Sequence, residues 1–164
     1  MEHSANPTIA IVGGTGELGG GLARRWAKAG YRLLIGSRRE ESARDAAEAL
    51  RAQAGDAGWD RCEVEGLENS DAAQRADLVV VTVPFASQTD TLRAIAPAVQ
   101  GKVVVDVTVP LVPPKVARVQ MPAEGSAGQI AQNLLGDEVR VVSAFQNVAA
   151  AHLLTDVAAV ALAL

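Results

Sequence analysis

Three glycines, Gly14, Gly16 and Gly19, stand where the apolar run Ile9–Val12 ends and a helical pattern begins, giving G-x-G-x-x-G. A strand, a tight turn and a helix N-terminus in that order can hold a dinucleotide pyrophosphate. Gly14 is expected to allow the turn, Gly16 to let the backbone approach the phosphates, and Gly19 to let helix and strand pack closely. Glu17 suits a helix N-terminus but would repel phosphate if it pointed inward, so it is expected to face solvent. After the second apolar run comes Ser37-Arg38-Arg39. An NAD site places an acid there, about 20 residues beyond the fingerprint, for the ribose 2′-hydroxyl. A hydroxyl and two guanidiniums suit a 2′-phosphate instead. These residues therefore read as an NADP(H) site, against the plainer reading that Arg38 and Arg39 form a solvated face balanced by Glu40 and Glu41.

Other segments where apolar runs stop offer less. Thr82-Val83-Pro84-Phe85 could line a nicotinamide ribose or simply end a strand. Val107–Leu111 supplies an apolar wall with one hydroxyl, and Phe145-Gln146-Asn147 supplies amides; ordinary loop packing accounts for both equally well. No Ser-x-x-x-Tyr-x-x-x-Lys pattern exists, and Tyr31 is the one tyrosine. His152 reads as a packing residue, Cys62 as a buried thiol, and no metal-ligand spacing appears. An oxidoreductase built this way needs little proton transfer from its own side chains. Direct hydride transfer between two bound cofactors meets that condition, with no catalytic residue in the protein.

Positioning these residues requires alternating strands and helices. Strands are expected at 8–12, 31–35, 61–65, 78–83, 102–107 and 139–143. Helices are expected at 17–29, 40–54, 69–76, 87–99 and 126–135. Asn69 reads as an N-cap and Ser126-x-x-Gln129 as a capping box. The apolar tail from Asp156 to Leu164 reads as a strand or a helix. The class is α/β: one Rossmann-type, doubly wound, mostly parallel sheet with helices on both faces, order 3-2-1-4-5-6. Residues 1–164 are expected to form this single domain, with 1–7 a flexible N-terminus.

The 164 residues suffice for one core, and 49% hydrophobic content argues a globular chain. A net charge of −4 disfavours a nucleic-acid partner. The single cysteine fits a reducing cytoplasm, and no apolar run reaches the ~20 residues of a membrane span.

Several stretches together resemble the NADPH-dependent coenzyme F420 reductases. They are Ala10–Ala23, Ile35–Arg39, Glu68–Ala73, Val81–Phe85, Val109–Pro113, Gly125–Ala127 and Val141–Phe145. The similarity runs over about residues 8 to 154. It implies hydride exchange between NADP(H) and the deazaflavin coenzyme F420. By that likeness Gly14, Thr15, Gly16, Glu17 and Leu18 would line the pyrophosphate and nicotinamide. Ser37, Arg38 and Arg39 would hold the 2′-phosphate, and Val83 and Pro84 would line the ribose. Val109, Pro110 and Ala144 would approach the stacked rings. Members often carry a neutral residue at position 17 and a His at position 146, where this chain has Glu17 and Gln146. Members also continue past the position of Leu164, so the chain reads as one lacking the C-terminal part. A second subunit is expected to supply the missing cover, making a homodimer. Two other readings stay open: an NADP(H)-sensing module without turnover, and an NADP-dependent reductase of a small organic substrate.

Overall fold

The apolar runs form, in chain order, β1 (Ile9–Val12), α1 (Glu17–Lys28), β2 (Leu33–Ser37), α2 (Glu40–Asp56), β3 (Val64–Glu68), α3 (Asn69–Arg75), β4 (Leu78–Val81), α4 (Phe85–Ile95), β5 (Val103–Asp106), α5 (Ala127–Leu135), β6 (Arg140–Ser143) and α6 (Ala150–Leu153). They are seen in a computed structural model that describes residues 6–111 and 119–155. The tail from Asp156 and the first residues, including His3, lie outside the described residues.

Every strand pairing is parallel, and the order is β3-β2-β1-β4-β5-β6, as the alternation of elements predicts. Alternate side chains of each strand feed two cores. Ile9, Ile11, Leu33, Ile35 and Val80 face α1 and α2, while Ala10, Val12, Leu34, Val79 and Val81 face α3, α4 and α5. A strand buried on both faces must be apolar throughout, which is why these segments show no polar alternation. Burying each Leu, Ile or Val contributes about 1.5–3 kcal/mol. The chain leaves the sheet edge at β3 and re-enters beside β1 as β4. The carboxyl ends of β1 and β4 therefore flank the switch point where ligands bind in such sheets.

Several boundaries differ from expectation for visible reasons. The Tyr31 N–H donates to the Trp26 carbonyl (3.0 Å), finishing α1, so β2 begins at Leu33 and not at Tyr31. Arg61 pairs with Glu63 outside the sheet, and β3 starts at Val64. Cys62 consequently lies before the strand and is only half-buried; desolvation raises its thiol pKa. The cap of α3 is Glu68, whose carboxylate accepts from the Ser70 N–H at 2.8 Å, and Asn69 is released for another role. Pro84 caps α4, which ends at Ile95 because Pro97 allows only a short 3-10 turn at Ala96–Ala98. Ser126 caps α5 by accepting from the Gln129 N–H (3.0 Å). Gln129 turns its amide to Asn133 (2.8 Å), so the reciprocal half of the capping box is missing.

The tightest joint in the fold lies between β3 and α2. A Cβ at Gly66 would fall 2.2 Å from the Ala43 carbonyl carbon and oxygen. Backbone cannot yield as a side-chain tip can, so Gly66→Ala is expected to cost about 3 kcal/mol or more. Denaturant melts of the two proteins check this, and equal midpoints would show that the joint adapts.

Candidate functional site

At the exit of β1 the chain must turn sharply and start a helix. Gly13 makes the turn in the left-handed region, with φ of +76°. The turn expected at Gly14 is thus one residue earlier. Gly14 answers a contact requirement: a Cβ there would sit 2.7 Å from the Ile11 carbonyl oxygen. A Cβ at Gly19 would come 2.7 Å from both the Gly14 Cα and the Thr82 Oγ1, so helix and strand ends do close on each other there. Gly16 is different. A Cβ there would meet nothing nearer than the Gly13 oxygen at 3.7 Å, so the space it leaves is used by nothing in the protein. That is the cradle a close-approaching phosphate would occupy.

The amides of the turn divide in two. The Gly13 N–H donates to Asn69 Oδ1 (3.3 Å), the Gly14 N–H to the carbonyls of Ile11 (3.1 Å) and Gly36 (3.0 Å), and the Gly16 N–H to the Gly13 carbonyl (3.3 Å). The Thr15 N–H has no acceptor among the described residues, and Glu17 and Leu18 open α1, where N–H groups have no intrahelical partner. These donors sit at the positive end of the helix. The Glu17 side chain is exposed, as its charge requires.

Across the crevice, Ser37 closes β2 and its hydroxyl accepts from the Arg39 N–H (3.3 Å). Arg38 and Arg39 are both exposed, and neither forms an ion pair among the described residues. Glu40 does not balance them, being paired with Arg44 one turn on at 2.5 Å. Thr15, Gly16, Ser37, Arg38, Val83 and Pro84 share one cleft of about 200 Å³, with Gly13, Asn69, Thr82, Ser87 and Thr91 completing its wall. Glu17, Leu18 and Arg39 lie beside this cleft in sequence but do not line it. Gly14 contributes instead to a larger open groove of about 860 Å³ between α1 and α2. Thr15 lines both cleft and groove, so the groove opens from the same turn and runs along α1 and α2 past Ala23, Ala46 and Ala49.

Val109, Pro110 and Ala144 follow β5 and β6 and do not line the cleft. Their backbone is fixed by a buried polar cluster that the sequence reading missed. Asp106 ends β5 fully buried, and its Oδ2 accepts from Gln88 Nε2 and from the Thr108 hydroxyl, both at 2.9 Å. Gln88 also donates to the Ala127 carbonyl (3.0 Å), tying α4 to α5. Gln146 Nε2 reaches the Asp106 carbonyl (3.0 Å), and the Ala144 N–H donates to the same oxygen (3.3 Å). Burial pushes the Asp106 carboxyl above the usual range, against the pull of Thr108 and Gln88. The signal was present as an acid closing the apolar run Val103–Val105. Phe145 holds φ of +67°, rare for a bulky residue, and packs edge-on against Trp26 at 6.0 Å. His152 is exposed on α6 and presents its carbonyl, not its ring, to Arg25 (3.1 Å). Among the described residues no group of three His, Cys, Asp or Glu is placed to hold a metal, and no helix is long and apolar enough to cross a membrane.

Residues 8–110, which contain β1 through β5 and the whole cleft, match the family model described as NADP oxidoreductase, coenzyme F420-dependent. This chain belongs to that family. It is 41% identical over 143 residues to the F420-dependent NADP reductase of Methanocaldococcus jannaschii, covering 85% of this chain and 63% of that protein. With the protein of the same name from Methanothermobacter thermautotrophicus it shares 43% over 150 residues, covering 89% and 63%. The chain thus spans less than two thirds of the length of these relatives. A crystal structure of a candidate F420-dependent NADP-reductase from an Arthrobacter species superimposes with a TM-score of 0.71 at 26% identity, covering 89% of this chain and 65% of the other. The members of this family named here are oxidoreductases, and their shared portion is the Rossmann-type sheet described above.

The raised carboxyl of Asp106 carries a pH dependence. Its folded form binds a proton more readily than the unfolded chain, so the associated stability is present in acid and lost as pH rises above the ordinary carboxylate range. Asp106→Asn should therefore gain stability relative to wild type on going from about pH 4 to pH 7. Thermal melts across that range check it; a difference independent of pH would contradict the assignment.

Proposed function

We propose that the chain carries an NADP(H) site and takes part in hydride transfer between NADP(H) and coenzyme F420. The observation that carries the reading is the pair Arg38 and Arg39, exposed, without an acidic partner among the described residues, at the strand end where ribose specificity is set. Family membership and the shared name of the relatives, F420-dependent NADP reductase, support the second half of the proposal.

In this reading the N–H groups of Thr15, Glu17 and Leu18 and the open side of Gly16 hold the pyrophosphate, while Gly14 keeps the turn tight. Ser37, Arg38 and Arg39 hold the 2′-phosphate. Val83 and Pro84 wall the nicotinamide ribose, and Val109, Pro110 and Ala144 face the ring pair. The two cofactors supply the redox chemistry, with a hydride passing directly between their rings. The protein's part is to orient them, and no side chain acts as acid, base or metal ligand. No tyrosine, histidine or cysteine lines the cleft. We further propose that residues 1–164 act as one domain, in the cytoplasm and as a homodimer. The single cysteine and exposed apolar side chains such as Met121, Val142 and Leu154 support the last two points.

Two experiments test this. Arg38→Ala with Arg39→Ala should weaken NADPH binding on the order of a hundredfold, from two lost charge-assisted contacts, and NADH binding hardly at all. Fluorescence titration checks this, and equal losses would remove the 2′-phosphate assignment. Anaerobic mixing of the protein with NADPH and oxidised coenzyme F420 should bleach the deazaflavin absorbance at a rate proportional to protein. Absence of bleaching with NADPH bound would restrict the function to nucleotide binding.

A further inference from the structure

We propose that Asn69 is a positioning residue for the pyrophosphate end of the site, acting by holding the Gly13 peptide in the geometry that leaves the Thr15, Glu17 and Leu18 amides free. The inference rests on the NADP(H) reading above. Asn69 opens α3 and is only 4% exposed. A polar amide buried to that degree needs a partner, and the cap position that would explain an Asn here is taken by Glu68. Its Oδ1 instead crosses 56 residues of sequence to accept the Gly13 N–H at 3.3 Å.

The path of that side chain is itself built. A Cβ on Gly36 would lie 2.8 Å from Asn69 Oδ1, so the lack of a side chain at Gly36 is what lets the amide reach over β2. The Gly36 carbonyl meanwhile accepts the Gly14 N–H at 3.0 Å. Two successive amides of the turn are therefore held, one by a side chain from α3 and one by the backbone of β2. Gly13 carries the left-handed φ, and its carbonyl accepts the Gly16 N–H (3.3 Å). That oxygen shares its peptide plane with the Gly14 N–H, so holding the Gly13 and Gly14 N–H groups fixes the peptides on both sides of the Gly13 Cα, and with them the direction of the amides that follow. Asn69 further lies at the junction of the 200 Å³ cleft and a second one of about 150 Å³, both of which Arg38 also lines. Its amide meets the site at the turn, through the Gly13 N–H.

Asn69→Ala leaves the Gly13 N–H without its acceptor. NADPH and NADH affinities should both fall about tenfold, preserving their ratio, since an unsatisfied buried donor carries a penalty of that order. Adenosine 2′-monophosphate, which has no pyrophosphate, should compete as well against the variant as against wild type. Gly36→Ala, which displaces the amide without removing it, should reproduce the pattern. Unchanged NADPH affinity in Asn69→Ala overturns the proposal. So does a parallel loss for adenosine 2′-monophosphate, because that would show a collapse of the whole cleft. A wild-type chain that binds no NADPH would bring down the nucleotide reading and this inference with it. Wild-type binding with an unaffected Asn69→Ala brings down this inference alone.

Discussion

The turn between β1 and α1 has more hydrogen-bond donors than the protein can use, and the rest of the structure follows from which of them it uses. Gly13, Gly14 and Gly16 spend their N–H groups on Asn69, on the strand backbones and on the turn itself. Thr15, Glu17 and Leu18 are left at a helix end whose dipole favours an anion. This division demands glycine wherever backbone meets backbone: Gly14 against Ile11, Gly19 against Gly14 and the end of β4. Of Gly13, Gly14, Gly16 and Gly19, Gly16 is the one where a Cβ would meet no atom closer than 3.7 Å.

A second constraint sits two strands away. Asp106, Gln88 and Thr108 form a buried polar cluster whose hydrogen-bond partners among the described residues include no cation. An ionised carboxylate there has lost water, which raises its pKa, and the neutral donors of Thr108 and Gln88 offset only part of that loss. The cluster binds α4, α5 and the ends of β5 and β6 into one rigid edge. Apolar contacts alone would leave that edge free to slide. Directional bonds to one carboxylate and one carbonyl set the backbone on which Val109, Pro110 and Ala144 stand.

Much of this was legible in the residues. Short, β-branched apolar runs alternating with helical patterns read as strands buried on both faces, and that alternation implied the sheet and its order. The glycine spacing and Ser37-Arg38-Arg39 located the switch-point cleft, because short-range turn chemistry and charge decide those positions. The displaced strand starts came from local competition, the end of α1 holding Tyr31 and an Arg61–Glu63 pair preceding β3. Asn69 and Asp106 could not be placed, since each is defined by partners distant in the chain: Gly13 for one, Gln88 and Gln146 for the other. A cap residue and a buried cross-link have the same side chain, and only the tertiary structure tells them apart.

The family to which the chain belongs is named for two cofactors that can react with each other, and the described lining of the cleft is turn backbone, the Arg38 guanidinium and neutral side chains. The central claim is that the protein aligns and does not exchange protons with what it aligns. The most direct measurement is turnover of coenzyme F420 with NADPH deuterated at the nicotinamide C4, stereospecifically on each face in turn, followed by mass spectrometry of the reduced deazaflavin. The account predicts full deuterium retention from one face and none from the other. Deuterium lost to water from the transferring face would contradict direct transfer and require an exchangeable group in the protein.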